Sequence, residues 1–182
     1  MSLVDLRGTD GSRCVVSVTG RHRPGILTGH DTLRAGVRVT ADFVDARLEL
    51  FLLQQDLDIW QRALTRLAPG GRATIGGDRG LSLDFFTHED GTLSLTVHDP
   101  DRLSVTLWID PPETWIQDHD QRLRQVRETW PSEVVETAPN TYEWSPSRAR
   151  RVQGDGDIAE HLVPAVRAGL NGPDPQAQFR SE

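Results

Sequence analysis

Between Leu81 and Ile109 the chain alternates apolar and polar residues with a period of two, three times in succession. Leu81, Leu83 and Phe85 make the first apolar set. Leu93, Leu95 and Val97 make the second, and Leu103, Val105, Leu107 and Ile109 the third. Glu89-Asp90-Gly91 and Asp99-Pro100-Asp101 separate them. Aspartate bonds its own local backbone, glycine accepts positive φ and proline presets a turn dihedral. A helix would scatter these residues around its axis, whereas an antiparallel meander gathers them on one face. This stretch therefore commits the chain to a sheet with one buried side.

The flanking segments extend that sheet. Leu3-Val4-Asp5-Leu6 and Cys14-Val15-Val16-Ser17-Val18 flank Gly8-Thr9-Asp10-Gly11, the pattern of a hairpin. Residues 20–32 read as a loop. From 33 to 53 the chain is extended again, with Leu33, Ala35, Val37, Val39, Ala41 and Phe43 on one parity and Ala46, Leu48, Leu50 and Leu52 on the other. The phase flips near Val44-Asp45, which demands a bulge or a turn there.

Two helices punctuate the strands. The first spans roughly 56–68, with Asp56 as N-cap, Leu57, Trp60, Leu64 and Leu67 as its buried stripe, and Pro69-Gly70-Gly71 as its stop. A short strand, Ala73-Thr74-Ile75, follows it. The second helix starts at Asp110, with Asp110 as N-cap, Pro111 at N1 and Glu113 at N3. Ile116, His119, Leu123, Val126 and Trp130 form its stripe, and Pro131 ends it. Residues 132–147 read as irregular or as one edge strand, with Val134, Val135, Tyr142 and Trp144 pinned to the body. One domain is expected over 1–146, then a linker at 147–156, a weak helix at 157–170 and a disordered tail at 171–182.

Charge is where composition matters. Residues 84–120 hold Asp84, Glu89, Asp90, Asp99, Asp101, Asp110, Glu113, Asp118 and Asp120 against Arg102 alone, while the whole chain is net −7. The acidity is therefore local. It disfavours phosphate-rich partners such as nucleic acid. All 20 basic residues are arginine, a bias of the kind a GC-rich genome produces. No apolar run reaches the ~18–20 residues that span a bilayer, and the N-terminus carries no signal core, so a cytoplasmic protein without membrane contact is the expectation.

No catalytic constellation emerges, and no cofactor or metal is expected. His88 and His98 look paired, but the intervening turn puts them at opposite ends of a hairpin, roughly 20 Å apart. His119 lies on an apolar helix stripe and reads as a satisfied core histidine. Cys14 sits in a strand pattern as a small buried residue. The glycine pairs lack the strand–loop–helix context and lysine of a phosphate loop.

Local chemistry explains much of the acidic segment. Turns account for Asp90, Asp99 and Asp101, a helix N-terminus for Asp110 and Glu113, and i,i+4 pairs with Arg122 and Arg124 for Asp118 and Asp120. Asp84 and Glu89 have no such reason. In a meander, alternate turns lie at opposite ends, so Glu89, Asp90, Asp110 and Glu113 share one end. Asp84, Phe86 and Trp108 point off the apolar face beside it. These seven residues are the candidate surface for a basic protein partner. The competing reading buries that second face under the N-terminal strands.

The run from Leu48-Glu49-Leu50-Phe51-Leu52 through Leu57-Asp58-Ile59-Trp60, Ala73-Thr74-Ile75 and Gly91-Thr92-Leu93-Ser94-Leu95-Thr96-Val97 resembles an actinobacterial family of unknown function. Its members carry a motif like Thr137-Ala138-Pro139-Asn140-Thr141-Tyr142-Glu143-Trp144-Ser145-Pro146. More distantly, residues 36–123 are similar to WapI-type immunity proteins, which implies neutralisation of a toxin or nuclease and carries no catalytic residues with it. The expectation is an α+β fold: an antiparallel, mostly meander sheet, curved or folded over, with two helices packed against it. Its function is that of a small binding protein of immunity or antitoxin type rather than an enzyme. The alternative is a structural or regulatory subunit docking through residues 157–170.

Overall fold

The computed structural model describes residues 1–67, 69–77 and 80–147. The fold is α+β and antiparallel throughout, with ten strands and two helices among the described residues. Strands β1 (Ser2–Arg7), β2 (Arg13–Arg21), β3 (Leu33–Ala41) and β4 (Val44–Leu52) form a four-stranded meander in chain order. Helix α1 (Gln54–Leu64) follows. A second meander comprises β5 (Arg72–Gly76), β6 (Ser82–Thr87), β7 (Leu93–Asp99) and β8 (Leu103–Ile109). Helix α2 (Trp115–Thr129) and the hairpin of β9 (Val134–Ala138) and β10 (Thr141–Trp144) complete it. The expected linker, weak helix and tail lie, but for Ser147, outside the described residues.

One face of each meander and one stripe of each helix meet in a single apolar cluster. Trp60 on α1 sits at its heart, fully buried, with its ring 4.8 Å from that of Phe85 on β6. Helix α1 packs on β5, and α2 packs on β1 and α1. The apolar set predicted over 81–109 supplies the buried face of the second meander, with Leu83, Phe85, Leu93, Leu95, Val97, Leu107 and Ile109 almost fully enclosed.

The parity flip near Val44 has a simple cause. Ala41 pairs with Val44, so Asp42-Phe43 is a tight hairpin turn, and each odd residue of β3 opposes an even residue of β4. Val39 meets Ala46, Val37 meets Leu48, Ala35 meets Leu50 and Leu33 meets Leu52 on one face. Phe43 falls in the turn and is 72% exposed, not a member of the apolar face.

Both helix starts differ from expectation. Helix α1 begins two residues earlier, and Asp56 is not its N-cap but sits at N3, where Oδ2 accepts the Leu53 amide at 2.7 Å. Helix α2 begins five residues after Asp110. Pro111 and Pro112 both lack amide hydrogens and disfavour helix in the residue before them, so the chain first makes a turn in which the Trp115 amide bonds the Pro112 carbonyl. Asp110 and Glu113 therefore cap nothing. Thr114 is the N-cap, and its hydroxyl bonds Asp118 at 3.2 Å, while Asp120 takes Arg124 as expected. Trp115, missed in the stripe, is buried. Past Pro131 the chain forms a hairpin rather than one edge strand, turned at Asn140 with φ 60°. Val135 and Tyr142 remain exposed on it.

Candidate functional site

Strand register on the second meander sorts its outer face into three cross-strand rows. Arg72, Phe86, Ser94 and Trp108 form the row nearest the Glu89-Asp90 turn. Thr74, Asp84, Thr96 and Thr106 form the middle row, and Gly76, Ser82, His98 and Ser104 the far one. This face is open: Trp108 is 61% exposed, and Ser104 and Thr106 are exposed with it. The N-terminal strands do not cover it, because they build their own sheet instead.

The near row is an aromatic stack. His88 lies against Trp108 with ring centroids 4.8 Å apart and nearly parallel planes, and edge-on to Phe86 at 4.5 Å. The Arg72 guanidinium covers the other side of the stack, 4.8 Å from the Phe86 ring. His88 Nε2 and Ser94 Oγ are 3.1 Å apart. These contacts hold Trp108 flat in the row while leaving most of its surface to solvent. Sequence alone placed Phe86 and Trp108 on the outer face, yet missed His88 and Arg72, whose parity with Phe86 was the available signal.

The predicted acids divide as the meander requires. Glu89 and Asp90 occupy the β6–β7 turn, where Asp90 Oδ1 accepts the Thr92 amide at 2.9 Å and Gly91 adopts φ 87°. That amide bond, joined by the Thr92 hydroxyl, lowers the Asp90 pKa, and His88 adds to the effect. Leu93 pairs with Ile109, so Asp110 leaves β8 at this same end, with Glu113 three residues on. Asp84 stands apart in the middle row. It accepts the Thr74 hydroxyl at 2.6 Å and the Ser82 hydroxyl at 3.3 Å. Asp99 and Asp101 turn the chain at the opposite end, beside a weak Arg102 contact of 3.9 Å.

A polar network that the sequence did not reveal lies on the first meander. Arg21 donates to Asp31 at 2.7 Å and to the Pro131 carbonyl at 2.6 Å. Asp31 Oδ2 accepts the Ser132 hydroxyl and the Glu133 and Val134 amides. Burial pushes the Asp31 carboxyl up, but these donors outweigh it and hold the pKa below the ordinary value. His30 Nδ1 accepts the Gly25 amide at 2.8 Å, which leaves Nε2 to donate to Glu133 at 2.9 Å. With both nitrogens engaged, the imidazole is a strut between the β2–β3 loop and the segment after α2. Residues 103 positions apart in sequence offer no local pattern, which is why periodicity could not find them.

His119 is the core histidine its stripe predicted. It donates from Nδ1 to the Trp115 carbonyl at 2.6 Å and accepts the Asp5 amide of β1 at Nε2. Burial pushes its pKa down, beyond what the Trp115 bond restores. Asp5 is itself clamped by Arg13 at 3.0 Å and Arg7 at 3.2 Å. Burial raises its carboxyl, and the two guanidinium groups more than reverse that. Cys14 is wholly buried, with its thiol pushed up to about 12 by burial and by Asp5, so it is inert as a nucleophile.

A groove of about 610 Å³ runs elsewhere, between α1 and the Asp99–Arg102 turn, floored by the half-exposed Phe51, Leu53 and Ile59. No helix among the described residues is long and apolar enough to cross a membrane. Residues 1–131 match a family of unknown function, DUF5959. No curated protein and no solved structure matches the chain.

Proposed function

We propose, on the premise that the chain belongs to the family of unknown function DUF5959, that it is a binding protein that docks a basic protein partner rather than a catalyst. The docking surface is the Glu89, Asp90, Asp110 and Glu113 end of the second meander, with Phe86, Trp108 and Asp84 on the adjoining face. One observation carries this reading: Trp108 stacks on His88 yet is 61% exposed, at the end where four carboxylates gather. An aromatic anchor beside acids that form no ion pair among the described residues supplies both the hot spot and the steering field of a protein interface. The finer form of the proposal is a cytoplasmic, immunity-type role, in which occlusion by this surface silences a basic toxin or nuclease.

The test begins with the product of an adjacent toxin-like reading frame, titrated by calorimetry at two salt concentrations. Replacing Glu89, Asp90, Asp110 and Glu113 together by lysine should weaken binding by at least about tenfold and flatten its salt dependence. Trp108→Ala should cost about 2 kcal/mol of affinity, as a central anchor does. Unchanged affinity of the quadruple variant would remove the acidic end from the interface.

A further inference from the structure

The two meanders have four edge strands, and three of them are guarded. An edge strand offers unpaired amides and carbonyls to any other chain, so folded proteins cover it, charge it, shorten it or bulge it. Strand β1 is covered by α2, has a register shift between Ser2 and Val4, and gives its Asp5 amide to His119. Strand β4 alternates Asp45, Arg47 and Glu49 along its exposed face. Strand β5 is five residues long and lies against α1. Among the described residues strand β8 has none of these devices. Its sequence, Leu103-Ser104-Val105-Thr106-Leu107-Trp108-Ile109, contains no charge, proline or glycine, and its register against β7 is unbroken. Among the described residues β8 pairs with β7 alone.

We propose that the free edge of β8 pairs with the β8 of a second copy of this chain, antiparallel, with Thr106 on the twofold axis. The sequence is self-complementary in that register. Val105 faces Leu107 of the other copy and Leu103 faces Ile109, so the buried faces of the two sheets run on into one another. On the outer face Thr106 meets Thr106 and Ser104 meets Trp108. One step further, Arg102 stands directly opposite Asp110 of the other copy, on the same face, twice over by symmetry. Arg102 is the only arginine of 84–120 and its side chain is 70% exposed, held among the described residues by no more than the 3.9 Å approach of Asp99. A second copy therefore gives this guanidinium a carboxylate to pair with, and two four-stranded sheets become one of eight strands.

The electrostatics of this contact differ in sign from those of a basic partner. Each junction gathers Asp99, Asp101 and Arg102 of one copy with Asp110 and Glu113 of the other, a net excess of acid. Added salt screens that repulsion, so self-association strengthens with salt, whereas capture of a basic protein weakens. The inference goes beyond the partner reading and does not rest on it. Trp108 and Asp110 belong to both surfaces, so the second copy and a basic partner compete for β8.

Sedimentation velocity of the full chain tests the proposal, from about 1 μM to about 1 mM, the range of weak specific association. The expected result is a concentration-dependent monomer–dimer equilibrium that tightens between low and moderate salt. Thr106→Lys, an exposed substitution that sets two ammonium groups face to face on the axis, should weaken it at least about tenfold. Arg102→Asp and Asp110→Arg should each weaken it by a similar factor, and the two together should restore it to within about threefold of the wild type, because the swap rebuilds the pair. A wild-type chain that stays monomeric to about 1 mM overturns the proposal. So does a dimer indifferent to Thr106→Lys, and failure of the double swap to restore association overturns the register.

Discussion

On the outer face of the first meander Arg34 pairs with Glu49, and Arg38 lies 3.5 Å from Asp45. The matching positions of the second hold Thr74, Thr96 and Thr106 and an aromatic stack. The two sheets share a topology and contribute to one core, yet they meet solvent differently. The first is laced with ion pairs that strand crossings keep in register. The second carries hydroxyls, such as the 2.8 Å Thr96–Thr106 contact, with Asp84 and Arg72 as the charged residues of its three rows and its other acids in and beyond its turns. A face laced with its own counter-charges has little left to offer another molecule. A sparsely charged face with an exposed tryptophan and acids at its rim has more. On the proposed reading, the first meander anchors and the second presents.

The largest effect that would break this contrast concerns the two tryptophans. Trp60→Ala empties a fully buried site beside Phe85 and should cost about 3–5 kcal/mol in chemical denaturation. Trp108→Ala should change stability by less than about 1 kcal/mol, so equal losses would mean that Trp108 is structural. Next comes Asp31→Ala. It leaves the Glu133 and Val134 amides without their acceptor and should cost about 2–3 kcal/mol, read from the same denaturation midpoint.

A third, smaller effect depends on pH and separates the guarded edge from the open one. The buried His119 binds its proton less readily than the unfolded chain, where histidine titrates near 6.5. Above that pH the contribution is fully present. As pH falls below it the unfolded state takes up the proton first, so stability drops. Protection of the Asp5 amide from hydrogen exchange should fall between pH 7 and 5.5 while that of the β7–β8 ladder changes less, and His119→Gln should flatten the trend. Asp5 and Asp31, held below 3.8, contribute their own acid sensitivity only below that value. Smallest of all, Glu49→Ala should shift the midpoint by no more than about 0.5 kcal/mol, since both partners of that pair are exposed.

Where side chains alternate, the sequence was readable. Leu93, Leu95 and Val97 could occupy only one face, and the Glu89–Gly91 and Asp99–Asp101 turns set which ends the acids share. The flip at Val44 demanded a break, and the Asp42-Phe43 turn supplies it. The sequence was misleading where two local rules competed. Asp110-Pro111-Pro112-Glu113 has the residues of a helix start, but consecutive prolines impose a turn first, and the helix waits for Thr114. It was silent where contacts are remote. Nothing local to Arg21, His30 or Asp31 announces Glu133, and the parity His88 shares with Phe86 marks its face without announcing its stack on Trp108. The seven residues named as a candidate partner surface lie at one end or on its adjoining face, and Asp84 already accepts the Thr74 and Ser82 hydroxyls.

The match to the family ends at residue 131, and the Asp31 network reaches across that boundary. A chain cut after Pro131 would keep every strand of both meanders and both helices. It would also lose three of the donors that converge on one half-buried carboxylate, and the acceptor that His30 reaches across to meet. The family match and the contact network thus have different termini in this molecule. A truncation designed on homology alone would excise the residues that tie the β2–β3 loop to the start of β9.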